Sequence, residues 1–474
     1  MMTTMNFSKR TGRFAVAAAL VGAAGLAACN QDELLTVPTP DIVLPSNISG
    51  PSALPAAYAA ALGDFQVAYS GSSGSEGQVI FSGLLSDELM DAETFPTRLQ
   101  VDFRNIDLHN SSLLPIFQNA ERARATAELV ADRYIQYDPT NPNRAEVQAL
   151  AGYMYILFAE NYCNGVPTSK VNDDGSFSYG DPQTGTQLLQ AAVAKFDSAI
   201  TVATAAKSNK ALYLAMIGKG RALLDLNQKA AAAAAVAGVP SNYNYSIQHD
   251  ENTSRQYNGV YSFTVSSKRF TVSNKEGGNG IAFVTLNDPR VPVVRTGAGF
   301  DGATPFYRTP KYTSLAGTAA GYIGGPRGAP VPLALGTEAR LIEAENYLDL
   351  GDDVNFLASL NAARANAKTY ADTIPVQPAP APLTIADLGA TVTSRQNLLF
   401  QERALDLYLT SHRLGDLRRL IKFYGRDPET VFPTGPYNPV GAAAGTNYGT
   451  DVNFPIPFEE VNNPNFSGCI DRNP

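Results

Sequence analysis

The sequence predicts a mainly α-helical protein, in which paired helices form a scaffold and long irregular loops with a few short strands lie between them. Three observations carry that expectation. Apolar residues repeat at helical spacing in several long runs. Very short linkers join consecutive runs, so neighbouring helices must fold back on one another. Between residues 239 and 336 the pattern changes to aromatic and polar residues in alternation, broken by Gly, Pro and Asn.

In chain order, the first segment is not part of the scaffold. Lys9, Arg10 and Arg13 precede an uninterrupted apolar and small run from Phe14 to Leu26, closed by Leu26-Ala27-Ala28-Cys29. The run is shorter than the ~20 residues of a comfortable membrane span, and its layout is that of a secretion leader. Small residues before a cysteine are similar to the lipobox of bacterial lipoproteins, which implies acylation of Cys29 as the first mature residue. Residues 1–28 are therefore expected to be a lipoprotein signal peptide, and 29–51 a flexible tether after the lipidated cysteine. The rest, 52–474, is expected to form one domain. It divides into a helical part 52–238, a loop and short-strand insertion 239–336, and a helical part with an irregular tail 337–474.

Within the first helical part, Val147, Leu150, Met154 and Leu157 mark one helix and Leu189, Val193, Phe196, Ile200 and Ala203 another. A third, about 210–227, carries Leu212, Met216, Leu223 and Leu226, and only Lys207-Ser208-Asn209 separates it from the second. The arrangement recurs later. Leu341, Ala344 and Leu348 define a helix stopped by Gly351, and Asp352 or Asp353 caps the next, with Leu357, Leu360 and Ala363. Such helix–turn–helix units resemble tetratricopeptide repeats. Tyr243, Tyr245, Tyr257, Tyr261 and Phe263 alternate with polar residues in the insertion, and the long irregular stretches there are where ligand contact is expected.

The net charge is −8, and removing the leader takes away three cations. With no basic cluster, nucleic-acid binding is excluded. No later stretch is long and apolar enough to span a bilayer, so membrane contact would run through the lipid. Beyond Cys29 there are two cysteines, Cys163 and Cys469, each in an Asn/Gly-rich context. In an oxidising compartment they either pair or stay as buried thiols. A disulfide is the favoured reading, and in the chain-entropy model it is worth about 4–5 kcal/mol.

The stretch Glu402-Arg403-Ala404-Leu405-Asp406-Leu407-Tyr408-Leu409, then His412-Arg413 and Asp416-Leu417-Arg418-Arg419, resembles the C-terminal signature of the SusD/RagB family of outer-membrane nutrient-binding lipoproteins. Further pieces follow the family's order: Tyr162-Cys163-Asn164-Gly165-Val166-Pro167, Asp288-Pro289-Arg290, Lys311-Tyr312, Leu350-Gly351-Asp352 with Leu360-Asn361-Ala362-Ala363-Arg364, Phe454-Pro455-Ile456-Pro457 and Asn463-Pro464-Asn465. Three places depart from it: Thr410-Ser411 stands for Glu-Gly, Leu414-Gly415 for aromatics, and Cys163 interrupts a Tyr-Gly step. The resemblance implies a SusD-like fold and a non-catalytic protein facing the cell surface. It would capture an oligosaccharide or peptide and deliver it to a SusC-like TonB-dependent outer-membrane barrel. The charges of the signature read as helix-locking ion pairs rather than ligand contacts.

The histidines His109, His249 and His412 are scattered without metal-ligand spacing, and no nucleophile-elbow, phosphate-loop or zinc-protease motif appears, so no cofactor or metal is expected. The acidic cluster Asp87, Glu88, Asp91 and Glu93 admits four roles: glycosidase carboxylates, a calcium site, ligand hydrogen bonding, or a solvated loop. Asp87, Glu88 and Arg98 stand as ligand candidates because the resembled family contacts ligand from early loops. Sugars stack on aromatic rings, and the chain has no Trp but 22 Tyr and 22 Phe. Tyr257, Tyr261, Phe306, Tyr307 and Tyr312 are the expected platform. Nutrient capture is the leading reading, ahead of a helical interaction scaffold or adhesin and a surface glycoside hydrolase.

Overall fold

The computed structural model describes residues 46, 48–309, 311, 326–367, 378–438 and 440–474. Cys29, the leader, most of the tether and Tyr312 lie outside the described residues.

Helix α1 (Leu54–Ser70) and α2 (Gly77–Leu85) open the fold, followed by the short α3 (Pro96–Asp102). Then α4 (Leu113–Tyr137) and α5 (Pro142–Asn161) form a hairpin whose second arm starts with the Asn141 side chain accepting from Asn143 N and with proline in its first turn. Next come α6 (Gly185–Ala205), closed at its start by a Thr184–Gln187 capping box, and α7 (Asn209–Asp225), capped by Ser208. Helix α8 (Lys229–Val236) leads into the insertion. After it, α9 (Gly336–Leu350) ends at Gly351 in the left-handed conformation (φ 70°), and Asp352 caps α10 (Asp353–Asn366) through Asn355 N. Finally α11 (Val392–Asp406) and α12 (Arg413–Tyr424) pack against the rest. Each helix from α4 to α10 packs on its sequence neighbour, so the expected scaffold of antiparallel pairs is what the chain builds.

Close packing in the first pairs is set by glycine. The Phe196 ring of α6 is buried between Gly152 of α5 and Gly218 of α7, where an added Cβ would lie 2.8 and 2.3 Å from ring atoms. Only a residue without a side chain leaves room for the ring there.

The strands are few and short. Strand β1 (Leu89–Asp91) pairs antiparallel with β3 (Phe270–Val272), β2 (Asn244–Ile247) with β6 (Val331–Leu335), and β4 (Val294–Ala298) with β5 (Pro305–Arg308). The β4–β5 hairpin lies against β3, where Tyr307 N donates to Thr271 Oγ1 at 2.8 Å. One expectation fails within this insertion. The alternation through Tyr257, Tyr261 and Phe263 is not a strand, because Gly259–Tyr261 and Ser262–Ser266 wind into helical turns started by the Asn258 side chain.

The charges of 402–419 are buried and paired. Arg403 and Arg419 both bond Asp416, Arg419 reaches Glu345 of α9 at 2.6 Å, and Arg290 with Arg364 holds Glu402. They lock helices together. Leu405 and Leu409, although spaced four residues apart, do not share one helix. Helix α11 stops at Asp406, and Leu409 (φ 53°) and Ser411 (φ 57°) turn left-handed before α12 begins.

Candidate ligand-binding surface

The acidic cluster expected at 87–93 proves to be four carboxylates with four separate duties. Asp87 is fully buried and accepts from Arg413 Nε and Nη2 at 2.6 and 2.8 Å, and from Ile281 N. Glu88, equally buried, accepts from Leu409 N at 2.9 Å, and burial pushes its carboxyl up to about 8. Neither reaches the surface, which corrects their choice as ligand contacts: the turn between α2 and β1 aims them inward, where they hold the α11–α12 turn. Asp91 caps Glu93 N at 2.8 Å and is likewise interior. A glycosidase pair needs an open gap between two carboxyls, and these four face different neighbours.

Glu93 is different. Its buried carboxylate joins two guanidiniums, Arg98 at 2.8 Å through one oxygen and Arg269 through the other. Each arginine then covers an exposed phenylalanine: Arg98 lies 5.0 Å from the Phe95 ring centre, and Arg269 4.5 Å from that of Phe300. Arg98 also bonds Glu76 and stacks 5.3 Å over the buried Phe263. Burial alone would lower the arginine, but Glu76 and Glu93 outweigh it and hold Arg98 above its ordinary value. The result is a row, Phe95–Arg98–Glu93–Arg269–Phe300, in which Arg269 is held by one carboxylate and one ring and Arg98 by two of each. Phe95 is 50% and Phe300 57% exposed, so both present apolar ring surface to solvent.

Local sequence explains why both rings are held out. Phe95 occupies the extended position before Pro96, which starts α3. Phe300 sits at the tip of the β4–β5 hairpin, where its N–H donates to Lys268 O at 2.9 Å and Asp301 N donates to Ala92 O at 2.9 Å. The Asp301 carboxylate accepts from Ala303 N and Thr304 N, both at 2.9 Å, closing the turn.

Of the other expected platform residues, Phe306 is buried and faces the core, which corrects its choice as a ligand contact. Tyr307 beside it is half-buried on β5, and Tyr257 and Tyr261 are half-buried, Tyr257 beneath the Arg327 guanidinium at 5.2 Å. Arg98 stands in the row. Sequence reasoning missed Phe95 and Phe300. The signals were local and present, a Phe-Pro step at a helix start and an aromatic within Gly299-Phe300-Asp301-Gly302.

Other arrangements carry less. Ser70 Oγ lies 2.8 Å from His249 Nε2, whose Nδ1 faces Gln256 O at 3.1 Å, a nucleophile–base geometry. Ser70 is fully buried, so no carbonyl can approach it. An open recess of about 410 Å³ beside Asp288, Arg364 and Glu402 has charged walls already consumed by the Arg290 and Arg364 ion pairs. Among the described residues no cluster of His, Cys, Asp and Glu is placed to hold a metal, and no helix is long and apolar enough to cross a membrane.

No family profile and no curated protein matches the chain by sequence. Solved structures do match it in shape. A SusD homologue from Bacteroides thetaiotaomicron superposes with a TM-score of 0.63 at 13% identity, covering 90% of this chain and 98% of that one. The chain has the SusD-like fold. A laminarin-binding SusD-like protein gives 0.62 at 15% identity, with 89% and 99% covered. A SusD-like carbohydrate-binding protein from Bacteroides vulgatus gives 0.60 at 14%, with 88% and 97% covered. On this SusD-like scaffold Cys163 and Cys469 form a disulfide, with Cα atoms 5.9 Å apart, that ties the tail to the end of α5.

Proposed function

We propose that the protein captures an oligosaccharide on the Phe95–Phe300 row and delivers it to a SusC-like TonB-dependent barrel in the outer membrane. It would be tethered there at the cell surface by lipid on Cys29, after removal of residues 1–28. The observation that carries the reading is the row itself. Two exposed phenylalanines, each braced by an arginine that Glu93 fixes, offer apolar faces for the C–H sides of sugar rings. Two structures of the same fold are named for laminarin and carbohydrate binding, which supports a glycan over a peptide. The role requires no covalent chemistry. Domain 52–474, behind the 29–51 tether, would act as one body.

The test pairs binding with partnership. Phe95→Ala and Phe300→Ala should each weaken binding to a hit from a glycan and peptide array by about 1 kcal/mol, and the double variant by more, as read by calorimetry. Full affinity in the double variant would remove the site. Co-purification of the tagged lipoprotein from gently solubilised outer membranes should bring a large barrel in near-equal amount. If array ligands are absent and only protein partners come along, the interaction-scaffold reading takes its place.

A further inference from the structure

We infer that Glu93 sets the ligand class of this surface: by cancelling the two arginines it makes the row read a neutral saccharide and turn away acidic ones. The inference rests on the glycan capture proposed above and sharpens it.

The charges at the row balance. Arg98 and Arg269 bring two positive charges, and Glu76 and Glu93 bring two negative ones, all in direct contact. Glu93 is the pivot, since it alone touches both guanidiniums, one with each carboxylate oxygen. Its side chain is 1% exposed, so solvent does little to screen it from either partner. At the edge of the row, Lys268 donates to Thr296 O at 3.2 Å, and the Asp301 carboxylate is taken up by the hairpin turn through Thr304 N at 2.9 Å.

An arginine so engaged differs from one that recognises carboxylates or sulfates. Anion recognition uses the two-pronged edge of the guanidinium. On Arg98 that edge is divided between Glu93 and Glu76, and its face is taken by Phe95 and Phe263. Arg269 gives one nitrogen to Glu93 and its face to Phe300. An acidic sugar would meet arginines already neutralised, and would lose hydration without gaining an ion pair. A neutral sugar loses nothing of the kind, and its apolar face covers Phe95 or Phe300. Glu93→Gln keeps the shape and removes the cancelling charge.

The experiment titrates the full-length lipoprotein with a panel of neutral gluco-, galacto- and manno-oligosaccharides and with oligo-uronates of matched length. The wild type should bind a neutral oligosaccharide and show no measurable heat with the uronates. Glu93→Gln should bring uronate binding into the measurable range and raise the uronate-to-neutral affinity ratio by about tenfold or more, a gain that high salt removes. Glu76→Gln makes the same change of charge and serves if the first variant does not fold. A wild type that prefers uronates, or a uronate-to-neutral ratio unmoved in both variants, overturns the inference while leaving glycan capture standing. A wild type that binds no saccharide of either kind overturns both.

Discussion

Ser411 carries a conflict between backbone and side chain. Its φ of 57° suits glycine, and a non-glycine residue there costs of order 1 kcal/mol or more. Yet its Oγ accepts from Ser82 Oγ at 2.9 Å in a buried site, and its carbonyl accepts from Arg221 at 2.8 Å. Ser411→Gly should therefore fall within about 1 kcal/mol of wild type in urea unfolding, strain relief offsetting the lost bond. Ser411→Ala keeps the strain and loses the bond, and should cost about 1–2 kcal/mol. An alanine variant as stable as the glycine one would show that the backbone there is unstrained. A second residue-scale effect sits behind α3. Asp102 accepts from Tyr437 OH and from Asp91 N, Glu276 accepts from Tyr448 OH at 2.8 Å, and Asp102 Oδ1 and Glu276 Oε2 have no other partner. Burial pushes Asp102 up to about 7 and Glu276 well above the carboxylate range, so Glu276 keeps a proton that it shares with Asp102. An acid with a raised folded pKa binds its proton more tightly folded than unfolded. Its contribution is full below the ordinary carboxylate range and is lost as pH climbs through about 7. Melting temperature should fall from pH 6 to pH 8, and Glu276→Gln, whose amide donates permanently, should flatten that fall. An equally steep fall in the variant would place its origin elsewhere.

Helix pairs were legible because their determinants are local. The capping residues Thr184, Ser208 and Asp352, the stop at Gly351 and the apolar spacing lie within a few residues of the ends they define. The end of α11 was not legible. Leu409 follows Leu405 at helical spacing, but its N–H bonds Glu88, 321 residues away in sequence. A turn held by so distant a partner leaves no periodic mark. Phe95 and Phe300 were missed for a related reason: exposed rings on loops have no period, and only their Pro and Gly neighbours point outward. Contacts between elements give a sharper test. Gly218→Ala gains helix propensity, worth up to about 1 kcal/mol, but drives a methyl into the Phe196 ring, which Gly152 pins from the other side. The net should be a loss of about 1–3 kcal/mol. Trimming the ring removes the collision, so Phe196→Leu combined with Gly218→Ala should cost less than the two single changes added together. Strict additivity in urea unfolding would deny the contact.

Across the whole molecule, the C-terminal tail is tied back to the first helical part at two places, the end of α5 and the end of α3. The resemblance at 402–419 foretold the scaffold, and the two cysteines foretold a strap, but neither told how the tail is laid down. Phe454 is sandwiched in the backbone ladder, its N–H donating to Asn161 O at 2.7 Å and its carbonyl accepting from Cys163 N at 2.9 Å. Ile470 N then donates to Asn164 O at 2.8 Å, and the disulfide fastens the same corner. Residues 437–451 are held separately on α3, through Tyr437 to Asp102, Gly449 N to Phe103 O at 2.7 Å and Asp451 N to Arg104 O at 3.1 Å. This division makes a definite forecast. The disulfide closes a loop between residues 306 apart, and replacing both cysteines with serine should cost about 2–5 kcal/mol. The loss should be localised, with amide exchange accelerating at 454–471 well before 437–451. The Phe95–Phe300 row, braced by α3 and the β4–β5 hairpin rather than by the corner of α5, should keep its ligand affinity. Exchange that accelerated together in both stretches would mean that the tail folds as one unit, and binding would then fall along with stability.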